Sequence, residues 1–161
     1  MFLEGRPILQ GSGHDAGRQL LARMYEEYVG GTLPEISITQ QGKPYFVESP
    51  WHFSISHTKC HVFCALSQRN IGIDAEEADR NIRLDLAGKI LPEAQYRQYE
   101  AAPDKRTALL KFWVLKEAQA KLTGEGIKFH PTHTNFSLDD PRVTVIDNCL
   151  VAVLQEEDHA L

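Results

Sequence analysis

Cysteine is scarce in this chain and basic residues are outnumbered. Only Cys60, Cys64 and Cys149 occur among 161 residues, an odd, low count that supplies no disulfide framework. The opening stretch, MFLEGRPILQGSGHD, has neither the basic start nor the apolar run of an export signal. Together these features predict reduced thiols in a cytoplasmic protein. No segment reaches the roughly 20 apolar residues needed to span a bilayer, so no membrane partner is expected. Lys and Arg number 17 against 22 Asp and Glu, a net charge of −5 with His neutral. That balance argues against nucleic acid, whose recognition calls for a basic surface. A small phosphorylated ligand remains open, because it needs only a local cluster of cations or a metal. Low-complexity tracts and long linkers are missing too. With 42% hydrophobic and 24% charged residues, the chain suits one compact domain with its own core.

What is present is a mixture of helical and strand patterns. Residues 15–29, DAGRQLLARMYEEYV, place Leu20, Leu21, Met24, Tyr25 and Tyr28 on one helical face, with Gly30-Gly31 to end it. EISIT and WHFSISH alternate as half-buried strands do, the second with Trp51, Phe53 and Ile55 on one face and His52, Ser54 and Ser56 on the other. CHVFCAL, the turn SQRN and IGIDAE read as an antiparallel hairpin. Pro92 is placed to open a short helix at PEAQYRQYEAA. Residues 105–123 form the clearest helix, with Ala108, Phe112, Leu115, Gln119 and Leu122 along its inner stripe and Gly124 as its cap. RVTVID and CLVAVLQ supply two closing strands. Helix, glycine and strand recur at 15–38 and 105–138, an architectural echo that fits two α/β halves, 1–70 and 71–161, with a cleft between them.

Two acidic stretches carry candidate chemistry. Asp74 and Glu76 are two apart on a strand, so they point to one side. Carboxylates so placed repel each other unless a cation joins them, and their oxygens suit Mg²⁺ or Mn²⁺ better than zinc. In FWVLKEAQAK, Glu117 and Lys121 lie one helical turn apart. Glu117 could complete a metal site from the other element, and Lys121 could reach a phosphate, the equipment of phosphoryl-type transfer. The competing reading is structural: a solvated acidic turn, and a surface ion pair at i, i+4.

The motifs resolve that choice by resemblance. IGIDAE resembles the (I/V)-G-(I/V)-D-x-E motif, and FWVLKEAQAK the W-x-x-K-E-A-x-x-K motif, of the Sfp-type 4'-phosphopantetheinyl transferases. GKPYF and FSISHT resemble two further motifs in the expected order, and DAGRQLL the family's early arginine-bearing helix. The resemblance implies an α/β (α+β) fold of two pseudo-twofold-related halves, each a small antiparallel sheet on a long helix, with the active site between them. It implies transfer of the phosphopantetheine arm of coenzyme A onto a serine of an acyl or peptidyl carrier protein, leaving adenosine 3',5'-bisphosphate. Asp74, Glu76 and Glu117 would hold Mg²⁺ on the pyrophosphate, and Lys121 would neutralise charge developing there. Glu117 would also help to deprotonate the serine. Lys43 and Pro44 match the loop at the adenine end, Ser56 and His57 a motif that touches CoA phosphates, and Arg18 the arginine that meets the 3'-phosphate. The segment 80–104, with Leu86, Ile90, Leu91, Tyr96 and Tyr99, would meet the carrier's helix. A monomer would suffice, since the whole site lies on one chain. Members of the family are usually longer, and much of the first strand and its loop is expected to be missing, with only Arg6 ahead of Arg18. A non-catalytic CoA- or carrier-binding protein and an unrelated Mg²⁺-dependent phosphohydrolase are the alternative classes.

Three other signals carry less. Cys60 and Cys64 lack a second Cys/His pair at zinc-finger spacing and read as buried free thiols. His130 and His133 in HPTH read as loop histidines. Ser54 and Ser56 in SISH lack the glycine elbow of a hydrolase nucleophile.

Overall fold

Asp104 and Gly124 bracket the longest helix, and local chemistry explains both ends. The Asp104 carboxylate accepts from the Thr107 N–H, and Gly124 takes the left-handed conformation (φ 74°) that ends the helix. A computed structural model describes residues 1–126 and 135–157; His130 and His133 lie outside them. The order is β1 (Phe2–Pro7), α1 (Gly13–Tyr28), β2 (Ile36–Ile38), β3 (Pro44–Phe46), β4 (His52–His57), β5 (His61–Ser67), β6 (Ile71–Glu77), a 3₁₀ turn (Leu84–Leu86), α2 (Ala87–Ile90), α3 (Glu93–Ala101), α4 (Lys105–Thr123), β7 (Val143–Ile146) and β8 (Cys149–Gln155).

The mixed α/β architecture follows from strand alternation. One antiparallel sheet has the order β1-β5-β4 and another β6-β8-β7, with β2-β3 as a separate hairpin. On β5, Val62, Cys64 and Leu66 pack on Leu21, Met24 and Tyr25 of α1. Its alternate residues Phe63 and Ala65 pack on Ile71, Ile73, Ala75 and Val151 of the second sheet. On β8, Leu150, Ala152 and Leu154 turn away from that layer onto Phe112, Leu115 and Ala118 of α4. The order through the molecule is therefore helix, sheet, sheet, helix, each strand using period-2 alternation to serve two layers. None of the described helices is long and apolar enough to cross a membrane.

Three expectations are corrected here. The β5–β6 hairpin does not form: β5 pairs with β1 and β4, while β6 pairs with β8. The stretch read as its turn is a crossing between sheets. The outer N–H groups of β6 are instead taken by side chains of β4, Ile73 N donating to Ser54 Oγ (3.0 Å) and Ala75 N to Ser56 Oγ (3.1 Å). A first strand is present: β1 pairs with β5 from Phe2↔Leu66 to Pro7↔His61. Finally, Cys64 is fully buried but Cys60 is exposed, because β5 begins only at His61 and Cys60 sits in the turn before it.

Gly72 sets the distance between β6 and α4. A Cβ there would stand 2.2 Å from the Ala118 carbonyl oxygen and 2.4 Å from the Leu122 nitrogen. The glycine of IGID thus lets the helix lie directly on the strand. Gly72, Asp74 and Glu76 share one face of β6, so the contact that needs the glycine also brings α4 alongside the acids.

Candidate functional site

The side chains on that shared face build the site. Asp74 is 6% exposed. Its Oδ1 receives the Lys121 ammonium (3.1 Å) and the Ser56 hydroxyl (3.1 Å), while its Oδ2 is buried with no hydrogen-bond partner among the described residues. Burial pushes the Asp74 carboxyl above its ordinary range, against the pull of Lys121, Ser56 and the Ala75 N–H. Lys121 also donates to the Ile55 carbonyl (3.4 Å), so it bridges α4, β6 and β4.

Glu76 and Glu117 are half-buried neighbours of this pair. Burial raises the Glu76 carboxyl, as does Asp74, while Arg80 and the Trp113 indole favour its charged form. Glu117 is pushed up to about 7, chiefly by burial and then by the Asp74 charge, with Lys121 opposing. Three carboxylates feeling one another's charge in a half-dry site form an acidic centre short of positive charge. As the side chains stand, no set of three His, Cys, Asp or Glu residues among the described residues converges tightly enough to ligate one ion.

Two adjoining cavities surround the acids. One, of about 330 Å³, is lined by His14, Arg18, Ser56, His57, Asp74 and Glu76. The other, of about 380 Å³, is lined by Gln41, Lys43, Phe53, Glu117, Ala120 and Gly124. Pro44, Ile55 and Lys121 line both. Every residue singled out from the sequence as a catalytic, cofactor-binding or metal position therefore borders one of these two adjoining spaces. Glu117 borders one space and Asp74 and Glu76 the other, and Lys121 borders both.

Some side chains are placed otherwise than their motifs imply. Ser56 is 5% exposed, and its hydroxyl is occupied by Asp74 and the Ala75 N–H. It holds the acid while its residue also lines the first cavity. The Lys43 ammonium donates to Asn70 Oδ1 (2.8 Å) and to the Leu122 carbonyl (2.7 Å), tying the β2–β3 hairpin to the last turn of α4. Burial lowers its pKa. The His57 ring lies against Gly13, where a Cβ would meet its Nδ1 at 2.3 Å. In the 80–104 segment, Ile90, Leu91 and Tyr99 are buried in the α4 core, while Leu86 and Tyr96 are half-buried at its edge and Leu84 is exposed.

Two residues lie outside the sequence-based assignments. His14 lines the first cavity one turn before Arg18, an i, i+4 relationship legible in the sequence. Arg80 pairs with Glu76 at 2.5 Å and lies 5.8 Å from the centre of the Trp113 ring. Only the Trp113 motif position hinted at that contact, since 33 residues separate the partners in sequence.

Comparison with known proteins identifies the family. The family model of the 4'-phosphopantetheinyl transferase superfamily matches residues 70–158, more than half of the chain, and the chain belongs to that superfamily. It is 32% identical over 122 residues to the 4'-phosphopantetheinyl transferase HetI of Nostoc sp. (strain PCC 7120), covering 70% of this chain and 52% of that protein. It is 32% identical over 93 residues to a 4'-phosphopantetheinyl transferase of Bacillus subtilis, covering 56% and 41%. The corresponding match to 4'-phosphopantetheinyl transferase Sfp of Bacillus subtilis (strain 168) is 30% over 113 residues, covering 68% and 49%. The chain spans about half the length of these curated relatives.

Proposed function

We propose that this protein transfers the 4'-phosphopantetheine arm of coenzyme A to a serine of an acyl or peptidyl carrier protein, with Mg²⁺ or Mn²⁺ as cofactor, as one domain of two pseudo-twofold halves acting as a cytoplasmic monomer. The observation that carries the reading is Asp74: a buried carboxylate with one oxygen on Lys121 and Ser56 and the other unpartnered among the described residues, lining a cavity that Arg18 and His57 also line. A buried oxygen without a partner is costly, and a hard cation would satisfy it. The donor set fits: Asp74, Glu76 and Glu117 are oxygen donors of the kind Mg²⁺ and Mn²⁺ take. When bound, the ion would supply charge stabilisation for the pyrophosphate.

The chain's own residues account for the rest. Lys121 stands where both cavities meet, placed to face negative charge on the departing bisphosphate. Glu117, with its carboxyl held near neutral pH, is suited to take the proton from the attacking serine hydroxyl. The new bond joins the serine oxygen to the pantetheine-bearing phosphorus; the pyrophosphate bridge breaks, and adenosine 3',5'-bisphosphate leaves. Arg18 and His57, with His14 beside them, offer cations or donors to the CoA phosphates. Pro44 lines both spaces, and Lys43 fixes the loop around the adenine end. Leu84, Leu86 and Tyr96 are the accessible apolar residues for a carrier helix; Ile90, Leu91 and Tyr99 are excluded by burial.

Intact-mass analysis of an apo carrier incubated with the protein, CoA and Mg²⁺ tests the reading. A gain of one phosphopantetheine arm that is lost with EDTA and with Asp74→Asn is expected. CoA binding without any mass gain across acyl and peptidyl carriers would move the protein to the non-catalytic class.

A further inference from the structure

The acids of the site already have partners of their own. Asp74 holds Lys121 (3.1 Å) and Glu76 holds Arg80 (2.5 Å). Arg80 approaches from the segment after β6, and its guanidinium lies over the Trp113 ring of α4 at 5.8 Å from the ring centre. An aromatic face is a favourable seat for a guanidinium that has lost its carboxylate, because the ring quadrupole attracts cations and stacking preserves its planarity. Arg80 remains 42% exposed in its side chain, so water can also replace the carboxylate. In this arrangement no three acidic side chains among the described residues converge on one point.

We infer that Arg80 is the internal counter-cation which Glu76 exchanges for the divalent ion, with Trp113 as the seat that keeps Arg80 beside the site after the exchange. The inference rests on the proposed metal site. Glu76 cannot give its full charge to Arg80 and to a metal at once, so each ion bound competes with the guanidinium, and Arg80 sets how tightly the site takes its cation. Lys121 plays the matching part at Asp74 but also touches the Ile55 carbonyl, which holds it in place. Arg80 and Trp113 thereby acquire a role for which the sequence motif gives no reason: they tune metal affinity without contacting CoA.

Mn²⁺ titration of the free protein, read by loss of the free-ion paramagnetic resonance signal and without CoA or carrier, tests this. Arg80→Gln should bind Mn²⁺ about two- to fivefold more tightly than the wild type, within the range expected from releasing a partly exposed ion pair. Arg80→Lys, which keeps the charge, should stay close to wild type. Asp74→Asn should abolish binding in either background. Binding by the wild type that is equal or weaker in Arg80→Gln overturns the exchange and leaves the metal site standing. No Mn²⁺ binding by either protein overturns both. Tighter binding equally in Arg80→Gln and Arg80→Lys would also refute the role of charge, since only one of them loses it.

Discussion

The Ser56 hydroxyl on β4 donates to Asp74 Oδ1 at 3.1 Å while accepting from the Ala75 N–H at 3.1 Å. One side chain thus closes the seam between the two sheets and fixes the most buried acid of the site. Removing it orphans a buried N–H and one carboxylate contact. Ser56→Ala is expected to lower stability by about 1–3 kcal/mol, the cost of unsatisfied buried polar groups. Chemical denaturation measures this directly; an unchanged midpoint would mean that the hydroxyl is free for a ligand.

A Cβ on buried Gly72 would meet the backbone of α4, with no flexible side chain able to move aside. Gly72→Ala must push α4 off β6, which overpacking data place at about 1–3 kcal/mol or more. The same shift would carry Glu117 and Lys121 away from Asp74. Thermal melting of Gly72→Ala beside Gly88→Ala, whose added Cβ meets nothing within 4 Å, separates close packing from a general glycine effect. Equal melting points would contradict the packing argument.

Glu117 titrates at about 7 in the folded protein against an ordinary 4.5. A raised carboxyl favours the folded state fully below pH 4.5, and this contribution is lost as the pH climbs through about 7. Without added metal, Glu117→Gln should therefore melt above the wild type at pH 8, with the gap closing toward pH 4.5. A constant gap across that range would show that burial does not hold Glu117 protonated.

Lys116 is 7% exposed, and its ammonium finds no hydrogen-bond partner among the described residues. Burial draws its pKa from 10.5 down to about 8. The folded state disfavours the charged form, so stability is withheld below pH 8 and recovered as the pH rises toward 10.5. Lys116→Met should raise the melting temperature at pH 7 and lose that advantage near pH 10.5. Destabilisation at pH 7 would reveal a partner for the ammonium.

How far the sequence foretold all this depended on whether the cause was local. The ends of α4 were legible because Asp104 and Gly124 act on their own helix. The pairing of Asp74 with Glu76 followed from strand periodicity, and the cavity-lining positions from the motifs. Partner choice between strands was not legible. SQRN looks like a hairpin turn whether β6 turns back on β5 or crosses to β8, and a distant strand decided it. Tyr99 and Ile90 look like surface contacts until α4 covers them. Ser56 reads as a ligand-facing hydroxyl until β6 arrives with a free N–H. Arg80 is not legible because its meaning depends on Trp113, which lies beyond α2 and α3 in sequence and meets it only in the fold.

In the proposed reaction the site moves one arm for each CoA consumed, which neither binding nor hydrolysis of CoA does. The most direct test counts adenosine 3',5'-bisphosphate released against carrier molecules that gain the phosphopantetheine mass, in one reaction with CoA and Mg²⁺. A one-to-one ratio, with both products lost in Glu117→Ala, is the predicted result. Release of bisphosphate with no gain of mass on any carrier would contradict it and identify a hydrolase.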